Sequence, residues 1–501
     1  MLILMGHPQR PPNFVTIQQS MNYHLITLGC PKNNVDSEGM HGLLLAQGHT
    51  TVSTPEQADV VIVNTCSFIQ AARDETLGVL RELGQAKRPG QRLIAAGCMA
   101  ESHRELLSAA VPEIDATLST KEWMRIGEVI APAAKKRQAG LIELTPAAPA
   151  AKPLIELTPA APVAAALDTL GQYGDWRTTP IKRHASGPSA YLKISDGCNL
   201  RCAFCSIPSF KGDLRSKAVG AILGEARELV EAGVQEIILV AQHLTDYGRD
   251  LKLQDGLALL LRELGQVVPE DRWIRLMYAY PSSITPAVVR AIANYPQIAA
   301  YLDMPLQHAH PDTLRRMRRP PDTNKTRQII YDLRAAVPDI AIRTTFIVGF
   351  PGETRDEFDA LLAFLDEMEF DRAGFFRYSN EPGVHSATLD GQVSERVKQR
   401  RFEEASALQQ QVSLRKNQRW VGRTLRVLVE GNGEAEGRPV VIGRSFRDAP
   451  EIDNFVWAFG EAPVGSFVDV AIERATAYDV WGATLPQTTL VEQSRQGLAL
   501  A

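Results

Sequence analysis

Three cysteines of this chain each directly follow a strand-like apolar run. Cys30 ends HLITLGC, Cys66 ends DVVIVNTC, and Cys98 ends RLIAAGC. Helix-like stretches, SEGMHGLLLAQG and AARDETLGVLRELGQA, lie between the runs, and this alternation predicts a parallel sheet with crossover helices. Because parallel strands end at the same edge, we expect the three thiols at the carboxyl edge of the sheet, where α/β sheets bind ligands. Three small core residues are the alternative, since free cysteine packs well in cores.

The other three cysteines form one tight C-x3-C-x2-C group, Cys198, Cys202 and Cys205, after the strand-like run AYLKIS. Thiolates bind soft metals and iron–sulfur clusters, and three of them can hold three irons of a [4Fe–4S] cluster while the fourth iron stays open. Zinc is the main competitor, but structural zinc normally takes four protein ligands. No fourth cysteine lies nearby, and the nearest histidines, His184 and His243, are not at zinc-finger spacing.

The overall composition limits the class of protein and its compartment. The chain has 501 residues and a formal net charge of −4, so binding of nucleic acid by bulk charge alone is not expected. The chain contains no run of about 18 apolar residues, so no transmembrane helix is expected, and the N-terminus lacks the apolar core of a secretory signal. We therefore expect a cytoplasmic protein without a membrane partner, in which cysteines stay reduced.

The sequence predicts three folded domains joined and flanked by other segments. An Ala/Pro-rich linker contains LIELTPAAP twice, at 141–149 and 154–162, and Met21 is a possible true start. The predicted divisions are an N-terminal extension (1–21), an α/β domain (22–131), the linker (132–185), a second α/β domain (186–417), a β-barrel (418–490) and a tail (491–501).

Six strand-like runs alternate with helical stretches in the second α/β domain, which predicts a partial barrel of the TIM type. Functional groups then belong at the carboxyl ends of its strands, where we find the C-x3-C-x2-C loop, Gln242, Gln307, His308 and the turn from Gly349 to Glu353. Plain structural roles are the alternative for the last three. For the four arginines within Leu314 to Pro320 we expect a solvated helical face.

The last region consists of short strands and turns, which predicts a small β-barrel. From Arg419 to Leu485 it has 7 Arg, no Lys and 10 Asp plus Glu, so its formal charge is 7 − 10 = −3. A barrel that binds RNA is expected to be basic, because neutralised phosphates supply most of the affinity. An acidic barrel favours a basic protein as its partner instead.

These motifs together resemble a known family. C-x3-C-x2-C with Phe204 before its last cysteine resembles the radical S-adenosylmethionine (SAM) superfamily, and the upstream three-cysteine domain resembles that of the methylthiotransferases. The C-terminal barrel resembles the TRAM domain, and DAPEIDN is similar to the branch that modifies an aspartate of a ribosomal protein. The motifs that carry the resemblance are LGCPKNNVDSE, VNTCSFI, AAGCMAE, ISDGCNLRCAFCSIPSFKGDLRS, YLDMPLQH and FIVGFPGET.

The resemblance implies two [4Fe–4S] clusters, one on each set of three cysteines, and SAM at the second. Phe204, Gln242, Gly349 and Glu353 would then contact SAM, although His243 stands where this branch usually has an acidic residue. A SAM-derived radical would remove a hydrogen from the substrate, and the first cluster would supply the methylthio group.

The implied substrate is the β-carbon of an aspartate in the twelfth protein of the small ribosomal subunit, a basic protein. An electron donor and a sulfur donor are implied as further partners. A tRNA adenosine methylthiotransferase with the same chemistry is one alternative, which DAPEIDN and the acidic barrel disfavour. An iron–sulfur scaffold or electron carrier is another, which the open cysteine spacing disfavours.

Overall fold

The computed structural model describes residues 20–130, 175–178, 183 and 187–486. The predicted N-terminal extension up to residue 19, both copies of LIELTPAAP and the tail 491–501 lie outside the described residues. Within these ranges, no helix is long and apolar enough to cross a membrane. The domain boundaries drawn from the sequence stay predictions.

The N-terminal region is built on a five-stranded parallel sheet, as predicted, with strand order β2-β1-β3-β4-β5. Its central strand VVIVNT is buried along its whole length, as expected where helices cover both faces of a parallel sheet. The first helix begins earlier than the sequence indicated, at Pro31, because proline suits the first turn of a helix. The elements are β1 (Asn22–Thr27), α1 (Pro31–Ala46), β2 (Thr50–Thr51), β3 (Val60–Thr65), α2 (Gln70–Gln85), β4 (Arg92–Gly97), α3 (Cys98–Ser102), α4 (Arg104–Ala110), β5 (Ala116–Ser119) and α5 (Ile126–Ile130).

The second region contains the six predicted parallel strands, in the order β13-β12-β11-β10-β9-β6. The two outer strands do not pair with each other in the described part of the chain, so the barrel is partial, as predicted. The elements are β6 (Ser189–Lys193), β7 (Ser195–Asp196), α6 (Ile207–Lys211), β8 (Arg215–Ser216), α7 (Val219–Glu231), β9 (Glu236–Val240), α8 (Gly256–Gly265), β10 (Trp273–Leu276), α9 (Pro286–Asn294), β11 (Ile298–Asp303), α10 (Pro311–Arg316), α11 (Thr323–Ala336), β12 (Ala341–Val348), α12 (Arg355–Met368), β13 (Arg372–Arg377) and α13 (Glu395–Gln418).

The C-terminal region is a closed five-stranded barrel with order β14-β15-β16-β18-β17, which confirms the predicted small β-barrel. Helix α13 packs on β13 and α12 and also contacts β17, so it joins this barrel to the partial barrel. The strands are β14 (Thr424–Ala435), β15 (Arg438–Ser445), β16 (Val456–Phe459), β17 (Phe467–Ala475) and β18 (Val480–Thr484).

The concave face of the partial barrel is filled by side chains from both neighbouring regions. Val35 of α1 and Ala449, from the loop after β15, share one buried apolar cluster with Tyr301 of β11. The same loop carries DAPEIDN, and its Asp453 carboxylate accepts a hydrogen bond from the Tyr301 hydroxyl at 2.7 Å and pairs with Arg343 at 3.4 Å. This motif therefore docks the C-terminal barrel on the partial barrel.

Candidate functional site

The first three cysteines lie at the carboxyl ends of neighbouring strands, as the sequence predicted. Cys30 precedes α1, Cys66 follows β3, and Cys98 opens α3 directly after β4. Gly29 has φ +91°, and a Cβ there would lie 2.6 Å from Cys66 Cβ and 2.8 Å from its Sγ. Glycine is therefore required for the Cys30 loop to pass this close to Cys66.

Buried thiols in this set influence one another electrostatically. Burial raises the pKa of Cys98 to about 12 and also raises that of Cys66, and negative charge on Cys30 raises both further. In the opposite sense, the ammonium of Lys211 lowers the pKa of Cys98. Three thiols at one sheet edge that act on one another electrostatically fit a soft metal or an iron–sulfur cluster, which binds thiolates.

The second set lies in the loop between β7 and α6. Backbone hydrogen bonds fix this loop: Cys198 N–H donates to the Gly212 carbonyl at 3.1 Å and Ala203 N–H to the Met317 carbonyl at 2.9 Å. Burial raises the pKa of Cys205 to about 12, and negative charge on Cys202 and Cys198 raises it further. The three thiols of this loop are therefore near enough to act on one another electrostatically, which fits a three-ligand cluster.

One arginine of the Leu314–Pro320 run reaches this second set, so the predicted solvated face is wrong for that residue. Arg319 places its guanidinium 3.8 Å from Cys202 Sγ and 4.3 Å from the Tyr280 ring centre, and donates to the Pro305 carbonyl at 2.7 Å. A second arginine of the run, Arg316, pairs with the buried carboxylate of Glu357. Arg315 and Arg318 are exposed.

The cysteine loop meets the glycine-rich turn after β12 through aromatic rings. Phe204 packs edge-on against Phe350, with ring centres 6.5 Å apart. Gly349 has φ +73°, and a Cβ there would overlap Lys398 Cγ of α13. The turn therefore needs glycine at this position for both conformation and space.

Glu353 is the last residue of the glycine-rich turn, and its side chain is buried there. Its carboxylate accepts hydrogen bonds from the Gly349 and Phe350 N–H groups at 2.7 and 3.1 Å and pairs with Arg401 at 2.8 Å. Burial raises its pKa to about 7 against the effect of Arg401. Since the carboxylate is used by the turn and by Arg401, the structure places Glu353 as a residue that shapes the glycine-rich turn.

Buried polar atoms without hydrogen bonds lie just after β9. Gln242 Nε2 donates to Asp196 Oδ1 at 2.8 Å, but among the described residues its Oε1 has no hydrogen bond, nor does either ring nitrogen of His243, whose Nδ1 lies 3.7 Å from Asp246 Oδ2. His243 packs on Tyr280 with ring centres 4.9 Å apart, and burial lowers its pKa to about 4. Because buried polar groups normally have partners, these atoms fit a polar ligand at the mouth of the barrel.

The two polar residues after β11 have structural roles. Gln307 has φ +74°, and its backbone bonds to the Thr345 carbonyl and the Ile347 N–H at 2.7 and 2.8 Å. His308 accepts a hydrogen bond from the His310 N–H at 3.0 Å and is buried. These contacts favour the structural reading over direct contact with substrate.

A buried polar contact between the N-terminal sheet and the partial barrel was not found from the sequence. Helix α3, which begins at Cys98, packs on α6, which begins two residues after Cys205. Lys211 of α6 donates to Thr120 Oγ1 at 2.6 Å and pairs with Asp196 at 3.3 Å. Burial by itself lowers the pKa of Lys211, but negative charge on Asp196 and Cys98 reverses the shift. In the sequence, the only sign of a role for Lys211 was its position inside the motif SIPSFKGD.

Comparison with known proteins gives a consistent picture along the chain. Residues 22–119 match the model of Uncharacterized protein family UPF0004, residues 192–365 that of the Radical SAM superfamily, and residues 421–485 that of the TRAM domain. A protein of Herpetosiphon aurantiacus named ribosomal protein uS12 methylthiotransferase RimO is 65% identical over 466 residues, which cover 92% of this chain and 99% of that protein. A protein of the same name from Microcystis aeruginosa is 42% identical and covers 91% of this chain and 97% of its own length.

Among solved structures, the radical SAM methyltransferase TsrM of Kitasatospora setae, with tryptophan and a SAM analogue bound, has a similar fold. The TM-score is 0.50 at 13% identity, and the match covers 71% of this chain and 73% of that one. At this identity the likeness concerns the fold alone.

Proposed function

This chain belongs to the family of ribosomal protein uS12 methylthiotransferases, and from that premise we propose that it transfers a methylthio group to an aspartate β-carbon of uS12. It is a radical SAM methylthiotransferase, and its radical SAM domain binds SAM and a [4Fe–4S] cluster. The roles of individual residues, the second cluster and the identity of the partners are parts of the proposal.

Cys198, Cys202 and Cys205 would hold the cluster that binds SAM. When bound, the cluster and SAM supply the radical that removes a hydrogen from carbon, which no ordinary side-chain base can do. The chain shapes the site around them. Phe204 and the glycine-rich turn at Gly349 form one wall, and the polar atoms of Gln242 and His243 that make no hydrogen bond within the described residues would receive polar groups of SAM.

Cys30, Cys66 and Cys98 would hold a second [4Fe–4S] cluster, whose open iron would carry the sulfur to be transferred. The observation that carries this assignment is the contact of α3 with α6, because these helices begin at or next to one cysteine of each set. A substrate held between the two sets could lose its hydrogen on one side and gain the methylthio group on the other.

The surface charge of the C-terminal barrel supports a basic protein as substrate. Two of its seven arginines, Arg444 and Arg447, and two of its ten acidic side chains, Asp448 and Asp453, are buried. The charge of the remaining groups is therefore 5 − 8 = −3. We propose that this surface attracts uS12 and that the reaction, which also needs an electron donor and a sulfur donor, takes place in the cytoplasm.

Two cysteine variants of the reconstituted full chain test the two roles. Cys30→Ala should leave cleavage of SAM to 5′-deoxyadenosine in place and abolish methylthiolation of uS12, whereas Cys202→Ala should abolish both. The measurements are chromatography of 5′-deoxyadenosine and mass spectrometry of uS12. Methylthiolated uS12 from the Cys30 variant would show that the first set does not carry the transferred sulfur.

The substrate is tested in a strain without the gene. Mass spectrometry should show uS12 without its methylthio group and tRNA with its modifications unchanged. Loss of a tRNA methylthio group with uS12 unaffected would contradict the proposed substrate.

A further inference from the structure

Two consecutive apolar side chains are exposed shortly after Cys66. Phe68 and Ile69 are 40% and 37% exposed, although they follow the fully buried strand β3. They adjoin the first cysteine set: burial raises the pKa of Cys66, and a hydrogen bond from the Phe68 N–H opposes this shift. Single exposed apolar residues need no explanation, but several at one place indicate a binding surface.

A third exposed apolar side chain lies on the partial barrel. Phe376 of β13 is 57% exposed. Its neighbour Phe375 packs in the core beneath the helices, and successive side chains of a strand point to opposite faces, so Phe376 points to the concave face. There it is in register with Ile347 of β12, which packs in the same apolar cluster as Phe204 of the second cysteine loop.

A buried ion pair joins the two segments that carry these side chains. The Glu381 carboxylate, five residues after Phe376, accepts a hydrogen bond from the Gln70 N–H at 3.0 Å and pairs with Arg73. Gln70 directly follows Ile69 and opens α2. The exposed apolar side chains therefore flank one seam between the N-terminal sheet and the partial barrel, two of them next to the first cysteine set and one on the face that leads to the second.

The charge along this seam is negative. Asp74 and Glu75 of α2 are exposed, and among the described residues neither forms an ion pair. Besides burial, negative charge on Glu75 raises the pKa of Cys66, so these two groups lie near each other. The charged groups of the seam and their ion-pair partners sum to 3 − 4 = −1, and thiolates add further negative charge. They are Arg73, Arg377 and Lys398 against Asp74, Glu75, Glu381 and Glu395.

We propose that Phe68, Ile69, Asp74, Glu75 and Phe376 form a docking surface, the seam surface, for the segment of uS12 that carries the target aspartate. This inference rests on the proposed function, which names the substrate and assigns the two cysteine sets. The apolar side chains supply affinity for residues that flank the aspartate, and the carboxylates attract a basic protein and repel nucleic acid. Strand β13 is also the outer strand of its sheet, and an extended peptide can pair with such an edge.

The first test shortens the exposed aromatic side chain in the reconstituted full chain. Phe376→Ala should raise the Kd for unmodified uS12 at least about tenfold, because aromatic side chains supply much of the affinity of an interface. The KM for uS12 should rise with the Kd while kcat stays within about twofold, as expected for loss of binding alone. Binding is measured by interferometry on the form of uS12 that the wild type modifies, free or within the small ribosomal subunit.

The matched control is Tyr331→Ala, because Tyr331 is an aromatic residue, 46% exposed, on the outer helix α11. Its Kd for uS12 should equal that of the wild type. If Phe376→Ala does not fold, as judged by circular dichroism, Phe68→Ala takes its place with the same expected result.

The second test removes the exposed negative charge. Asp74→Asn combined with Glu75→Gln should lower the association rate constant for uS12 at least about twofold at low ionic strength, and high salt should abolish the difference. Asp332→Asn combined with Glu231→Gln is the control and should leave the rate unchanged. Asp332 accepts a hydrogen bond from the glutamine four residues before it, as Asp74 does, and Glu231 is exposed at the end of α7.

The outcomes separate this inference from the proposed function. If the wild type neither binds nor modifies uS12, the proposed function is wrong and the inference falls with it. If the wild type does both, a wild-type Kd in the folded aromatic variant, or an equal loss in Tyr331→Ala, overturns the seam surface alone. Equal association rates in the acidic double variant and its control would overturn the charge complementarity on which the choice of partner rests. Weakened binding of tRNA in Phe376→Ala, with that of uS12 unchanged, would assign the surface to RNA instead.

Discussion

Replacement of Glu236 by glutamine is expected to weaken the attachment of the C-terminal barrel. Glu236 opens β9 and is fully buried, and it accepts hydrogen bonds from Arg275 Nε and Arg444 Nη2, both at 2.6 Å. Arg275 lies on β10 and Arg444 on β15, so this carboxylate joins the two barrels. Glu236→Gln keeps the size of the side chain but leaves two buried guanidinium groups around a neutral amide.

Two arguments give a similar magnitude for the loss of stability. Burial alone would raise the pKa of Glu236, but the charges of Arg275 and Arg444 lower it from 4.5 to about 2. That difference corresponds to about 3 kcal/mol in favour of the ionised form in the folded protein. Removing one partner from a buried ion pair typically costs about 3–5 kcal/mol. We therefore expect the free energy of unfolding to fall by about 3 kcal/mol.

The assay is urea unfolding at pH 7, with limited proteolysis to follow release of the C-terminal barrel. Glu434→Gln is the matched control, because Glu434 is an exposed glutamate of β14. In the wild type, the contribution of Glu236 is present above pH 4.5 and is lost as the pH falls from 4.5 toward 2, because protonation then removes its charge. A loss below about 1 kcal/mol in Glu236→Gln, or one equal to that in Glu434→Gln, would refute this reasoning.

Three further variants test other parts of the structure. Gly349→Ala should lower affinity for SAM at least about tenfold by equilibrium binding, because positive φ costs about 1–2 kcal/mol and its Cβ would overlap Lys398; unchanged affinity would contradict the role of the turn. Arg319→Met should lower the midpoint potential of the cluster at Cys202 by on the order of tens of millivolts in a redox titration, because a nearby cation favours the reduced form. A potential equal to that of the wild type would show that the guanidinium does not lie next to the cluster. Asp453→Asn should increase cleavage of the DAPEIDN loop by protease at an early time point, whereas the same rate as wild type would show that this carboxylate does not hold the docked loop.

Strand content and the placing of the cysteines were predictable because the relevant signals are local. A buried run such as VVIVNT predicts a strand by itself, and parallel pairing then places Cys66 at the same edge as Cys30 and Cys98. The C-x3-C-x2-C group is local in the same sense, because its ligands lie within eight residues of one another. The parts of the site that a few neighbouring residues determine could thus be found without coordinates.

Residues whose role depends on distant neighbours were missed or misjudged. Arg319 resembled its exposed neighbours in sequence, and only the packing of its loop over Tyr280 brings it to Cys202. Glu353 was expected to contact SAM, a role that stays a prediction, but the fold uses its carboxylate for the turn and for Arg401, 48 residues further along the chain. The partners of long side chains cannot be assigned from sequence, because these partners come from several elements.

By itself, the sequence determined three sheet-based regions, two sets of three thiols and a family resemblance, because hydrophobic periodicity, cysteine spacing and short motifs act over a few residues. The tertiary structure alone decided that the open face of the partial barrel is covered by Val35 from one neighbour and Ala449 from the other. It also decided that the buried ammonium of Lys32 lies 3.9 Å from the centre of the Tyr278 ring. These features depend on contacts between residues hundreds of positions apart, and the free energy of a buried charge is set by every group around it, whatever its place in the sequence.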